Sequence, residues 1–176
     1  KETILRKVGE FLSIQDVVAL FQAHAASWDQ RLDMMDASFE SGLHSHLHRR
    51  GIHDMSQLFK DFSAGELLIA GSTAVQVLLD VEWPDSDIDL YTLWKSAPKA
   101  RNNLRSLGFV WKNLETDSDL TMMANGTGGT TRMKVETWQL GENGVRVDLI
   151  IGFEGHYETA VNIVLDFDID ICQTHW

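Results

Sequence analysis

The sequence has almost no cysteine. Its single thiol, Cys172, excludes an intrachain disulfide and suits a reducing compartment, so the expected setting is intracellular, in the cytoplasm. Proline is nearly as scarce, with Pro84 and Pro98 the two examples, and the first 63 residues contain neither. No apolar run approaches the roughly 20 residues that span a bilayer, and no signal-peptide pattern opens the chain. No membrane partner is therefore expected. The chain starts at Lys1 rather than at methionine, as a trimmed chain or a fragment does. Basic residues are also in deficit: 15 Lys and Arg face 26 Asp and Glu, giving a net charge of -11 and a pI near 4.9. An acidic chain does not attract polyanions by bulk electrostatics, which argues against bulk nucleic-acid binding. The basic stretches KARNNLR (99–105) and HRR (48–50) are too sparse to reverse that. Free nucleotides, small acceptors or proteins are easier partners.

What is present is enough apolar material for a core, 44% of 176 residues, in a length that suits one domain with a small helical appendage. Residues 1–63 read as an N-terminal helical region. EFLSIQDVVALFQAHAASWDQRL (10–32) has its apolar positions near a 3.6-residue period, with Ser13 as a candidate cap. DMSQLFKDF (54–62) reads as a second, short helix, and Gly42 and Gly51 punctuate this half. These helices are expected to pack on the sheet that follows.

From residue 64 to 176 the texture changes to alternating strands and helices. The expected strands are 67–71, 87–93, 109–115, 131–140, 145–152 and 167–172. The expected helices are 72–80, 96–108 and 156–165, with Ser96 capping the second and Gly108 just past its end. Gly-Glu-Asn-Gly joins 131–140 to 145–152 as a hairpin. The order predicts an α/β (α+β) fold, a mixed sheet with helices packed on it.

Side chains alternate across a strand, so Asp87 and Asp89 face one way while Ile88 and Leu90 face the core. Two such carboxylates, roughly 7 Å apart at the backbone, repel unless a cation joins them. Hard cations such as Mg²⁺ or Mn²⁺ favour carboxylate oxygens. A third acid, Asp148, stands in the otherwise apolar strand VRVDLIIG, where a charge is costly unless it reaches an edge or meets a metal. If that strand lies beside 87–93, three carboxylates converge. Upstream, Gly71-Ser72 marks a strand-to-helix turn, where a phosphate can approach the backbone and meet the free N–H groups of a helix start. The helix continues Thr73-Ala74-Val75, with no Lys or Arg beside it in sequence.

The pattern strand, Gly71-Ser72, helix, loop, Asp87-x-Asp89 strand, then Asp148 on a later strand resembles the nucleotidyltransferase superfamily that includes DNA polymerase beta. The resemblance covers roughly residues 65–152. The closing NIVLDFDIDICQTHW is similar to an uncharacterised nucleotidyltransferase-like group with a Phe-Asp-x-x-x-Cys strand. The resemblance implies Mg²⁺-dependent transfer of a nucleoside monophosphate from a nucleoside triphosphate to an acceptor hydroxyl on a small molecule, RNA or protein. Asp87, Asp89 and Asp148 would be the catalytic, metal-binding residues, with Gly71 and Ser72 binding nucleotide. Two alternatives stay open: a catalytically inactive member that binds nucleotide, and a module whose helices recruit a protein.

Other candidates have plainer readings. Asp166, Asp168 and Asp170 alternate in LDFDIDIC but lack a preceding Gly-Ser turn, so a solvated strand face is expected. His44 and His48 stand at an i, i+4 spacing compatible with zinc, yet a polar helix end is the simpler account. NGTGGTT (125–131) lacks the Gly-Lys-Ser/Thr ending of a P-loop and reads as a flexible turn. Cys172 reads as buried packing, and Trp83, beside Pro84, as an exposed loop residue.

Overall fold

The computed structural model describes residues 28–112, 133–142 and 144–166, with Asp16 and Ala19 as isolated helical positions. The elements in order are α1 (Trp28–Arg49), α2 (Met55–Leu58), β1 (Leu67–Ala70), α3 (Ser72–Leu79), β2 (Ile88–Leu93), α4 (Ala97–Ser106), β3 (Phe109–Trp111), β4 (Met133–Leu140), β5 (Arg146–Gly152) and α5 (Ala160–Leu165). The five strands form one mixed sheet in the order β1-β2-β5-β4-β3. Among the described residues only β2 and β5 run parallel; the other three pairings are antiparallel. The expected α/β fold, with a mixed sheet, packed helices and an N-terminal helix, is what the chain forms. The expected strand 167–172, the Ser13 cap, the glycine-rich 125–131 segment and Cys172 lie outside the described residues.

The sheet divides its side chains by parity. Ile69, Ile88, Leu90, Val147, Leu149, Ile151 and Trp138 enter the larger core, where α1 contributes Phe39, Leu43 and Leu47 and α4 contributes Ala100 and Leu104. The N-terminal helix therefore does pack on the sheet. Leu68, Ala70, Tyr91, Leu93 and Ile150 face the other way and are covered by Ala160, Ile163 and Val164 of α5. That helix is short, and it packs over the part of this face that carries Leu68, Tyr91 and Leu93.

Several boundaries differ from the sequence reading. Gly42 does not interrupt the N-terminal half; it lies inside the 22-residue α1. A Cβ there would approach Val77 Cγ1 to 3.0 Å, so the glycine is kept by close packing of α1 on α3. Gly51 does follow the end of α1. The helix expected over 54–62 is only Met55–Leu58, capped by Asp54, whose carboxylate accepts from Gln57 N at 2.8 Å. Ser96 precedes α4 but makes no capping hydrogen bond; Pro98 in the first turn sets that start instead. The last helix begins at Ala160, where Thr159 and Asn162 form a reciprocal capping box.

Candidate metal centre

The acids gather on the second face, at the start of β2 and β5. Strands β2 and β5 pair in parallel with Asp89 opposite Asp148, and Asp87 directly precedes β2. One carboxylate oxygen from each of Asp87, Asp89 and Asp148 lies within 4.8 Å of the others, and all three side chains are half-buried. Among the described residues this is the one such group of acids, histidines or cysteines that could hold a metal ion. The sequence alternation thus places Asp87 and Asp89 together, and the strand order brings Asp148 to them.

Gly71 closes the site from the β1 side. Ala70 is the register partner of Asp89, and Gly71 follows it as the start of α3 with φ 67° and ψ -140°. L-residues rarely adopt this backbone. A Cβ at this position would stand 2.6 Å from Asp89 Oδ2. The turn therefore needs glycine twice over, for its dihedrals and for the carboxylate against it. The hydroxyls of Ser72 and Thr73 each lie 3.4 Å from the Asp87 carbonyl oxygen, so the helix start is held to the β2 entrance.

The loop before Asp87 is tied from two directions. Buried Gln76 donates to Ser86 Oγ at 2.9 Å and accepts from Trp83 N at 2.6 Å. Arg50, just past α1, donates to Ser86 Oγ at 2.8 Å and also to the Ser86 carbonyl oxygen. Trp83 itself is exposed, as its place beside Pro84 suggests.

The three carboxyls are not equivalent. Burial works to raise Asp87, but the Arg146 guanidinium, hydrogen-bonded to it, outweighs this and holds Asp87 below its ordinary value. Burial pushes Asp89 up to about 7, helped by the charges of Asp87 and Asp148 and opposed by Arg146. Asp148 is raised as well, first by burial; the hydroxyl of Thr137, donating at 2.8 Å, and the Arg146 charge pull against it. Arg146 Nη2 stands 3.7 Å from Asp148 Oδ2. The arrangement is a set of hard oxygen donors with too much negative charge for one guanidinium, and among the described residues Asp89 receives no side-chain hydrogen bond that would ease its ionisation. That donor chemistry fits a divalent cation.

Three partners were not singled out from sequence. Arg146 is two residues before Asp148 on the same strand, so alternation alone puts it on the acidic face. Thr137 and Arg50 carry no such signal, because their positions depend on the β4 register and on the end of α1. Among the described residues no histidine joins this group: His44 and His48 are exposed, and burial pushes the buried His46 below its ordinary value. Among the described residues no helix is long and apolar enough to cross a membrane. Comparison of the chain with protein-family models, with curated proteins and with solved structures finds no match.

Proposed function

We propose that the site transfers a nucleoside monophosphate from a nucleoside triphosphate to an acceptor hydroxyl and releases pyrophosphate. The observation that carries this reading is the convergence of Asp87, Asp89 and Asp148 within 4.8 Å beside the Gly71 turn. Asp87, Asp89 and Asp148 would hold Mg²⁺ or Mn²⁺. Such ions, when bound, neutralise the carboxylates and stabilise charge on the entering and leaving oxygens of a phosphoryl group. Gly71 and Ser72 present the first backbone N–H groups of α3 to the triphosphate, where a side chain at 71 would be in the way. Asp148, held in orientation by Thr137 and raised above an ordinary carboxyl, takes the proton of the acceptor hydroxyl as its oxygen bonds to the α-phosphorus. The bond from that phosphorus to the pyrophosphate oxygen breaks in the same displacement.

A second reading rests on Arg146. Its guanidinium already bonds Asp87 and lies near Asp148, so it relieves part of the repulsion that a cation would relieve. On that reading the chain keeps the site as a nucleotide-binding or protein-interaction module without turnover. Calorimetric titration of Mg²⁺ or Mn²⁺ with each nucleoside triphosphate separates the two. The transfer reading expects metal-dependent nucleotide binding that is lost in Asp87→Ala/Asp89→Ala, and pyrophosphate release once an acceptor is supplied. Binding that is indifferent to the double substitution removes it.

A further inference from the structure

Next to the acids, a polar cavity of about 430 Å³ opens on the Asp87 side of the centre. Such a volume falls in the range of small-molecule sites. Its lining holds three arginines, Arg49, Arg50 and Arg146, against one acid, Asp85. These arginines are gathered together in a chain whose net charge is -11. The three are differently committed. Arg146 bonds Asp87, and Arg49 makes an exposed pair with Glu82. Arg50 is half-buried and spends its hydrogen bonds on Ser86 alone, through a hydroxyl and a carbonyl, both neutral. Among the described residues it has no carboxylate partner within ion-pair distance. Burial works against its charge, and the more distant Asp87 and Glu82 answer that only in part; a forked donor of this kind matches the oxygens of a phosphate.

Neither Gly71 nor Ser72 is among the residues that line the cavity. Gly71 abuts Asp89, whereas the arginines meet the centre at Asp87 through Arg146 and through Ser86. We infer that this arginine-lined cavity seats a phosphate-class anionic group carried by the acceptor, so that the acceptor is itself a phosphorylated molecule. This rests on the transfer reading above for the word acceptor; the anion site itself does not. In use, Arg50 and Arg49 would hold the anion while the acceptor hydroxyl extends past Arg146 toward Asp148.

The test is a titration of inorganic phosphate, without metal, into wild type, Arg50→Gln, Arg49→Gln and Asp89→Asn. Nuclear magnetic resonance follows the Gly144 and Ser86 amides. Phosphate is expected to bind wild type and Asp89→Asn, and to bind Arg50→Gln at least tenfold more weakly, with a smaller loss in Arg49→Gln. Because Arg50 also anchors the 83–86 loop, Arg50→Lys is measured beside it; recovery of most of the affinity there assigns the loss to charge. Absence of phosphate binding to wild type, or binding undiminished in both glutamine variants, overturns the site. A non-hydrolysable nucleoside triphosphate with Mn²⁺ is then added. Simultaneous binding of phosphate and nucleotide supports an acceptor seat; displacement of phosphate gives the pocket to the nucleotide's own tail and overturns that assignment. Phosphate binding that persists where metal-dependent nucleotide binding is absent removes the transfer reading while leaving the anion site in place.

Discussion

Glu136 and Asp89 are both drawn in from water on the same sheet, and their surroundings treat them in opposite ways. Glu136 on β4 faces the larger core side and is answered in full. Arg101 donates to it twice, each bond 2.9 Å, and Lys134 stands at 3.1 Å. Burial pushes Glu136 up, but those partners prevail and hold it below its ordinary value. Asp89 on β2 has two further acids for neighbours and is pushed up to about 7. The same fold can evidently supply a fork of donors to a buried carboxylate. Asp89 instead stands with Asp87 and Asp148, beside a glycine that makes room for its oxygen, in a group that could hold a metal ion.

The largest test of that contrast is metal binding. Asp89→Asn is expected to weaken Mn²⁺ at least a hundredfold in a calorimetric titration, whereas Glu136→Gln leaves Mn²⁺ affinity within about twofold; such a gap corresponds to roughly 2.7 kcal/mol. Comparable losses in both variants would erase the distinction. Stability should rank the other way. Glu136→Gln leaves Arg101 facing a neutral group and is expected to cost about 2 kcal/mol in urea unfolding, less than a fully dry pair because Arg101 and Lys134 keep some contact with water. Asp89→Asn, in metal-free buffer, is expected to be neutral or stabilising.

The pH dependence sharpens the point, because the two shifts have opposite signs. Asp89 is raised in the folded state, so its contribution is complete below the ordinary value of 3.8 and is lost as pH rises toward about 7. Glu136 is lowered, so its contribution is present above the ordinary 4.5 and is lost as pH falls through its folded value. Metal-free wild type should therefore lose stability relative to Asp89→Asn between pH 4 and 7, in thermal melts at fixed ionic strength. Mn²⁺ should raise the wild-type melting temperature most above pH 7. A flat difference across that window would remove the assigned shift. The smallest effect is expected from Thr137→Val, which leaves Asp148 with one donor fewer and so closer to the state of Asp89. A loss of about 1 kcal/mol is expected, with the Asp148 carboxyl carbon titrating at higher pH than in wild type.

Much of this centre could be read in the chain before the fold was known. Period-two alternation placed Asp87 and Asp89 on one face, and Asp148 stood out as a charge in an apolar strand. The Gly71-Ser72 pair marked the turn that borders them. What alternation does not convey is which strands become neighbours; the β2-β5 pairing arises from a connection through α4, β3 and β4. Thr137 and Arg50 follow from such long-range placement and have no local signature. The span of α1 was obscured for another reason. Gly42 looks like a helix breaker until Val77 of α3 is seen packed against it, and tertiary contact outweighs its modest helix penalty.

The pairing of Asp89 with Asp148 has a bearing on how the chain finds its structure. Shifting β5 by one residue against β2 would turn Asp148 and Arg146 toward Leu90, Leu149's present neighbour, and would expose Val147 and Leu149 on the acidic side. Ions pressed into an apolar layer without partners are heavily penalised. The residues proposed to do chemistry therefore also act as a registration mark, because a one-residue slip in either direction from the alignment that gathers them drives charge into the core between β2 and β5.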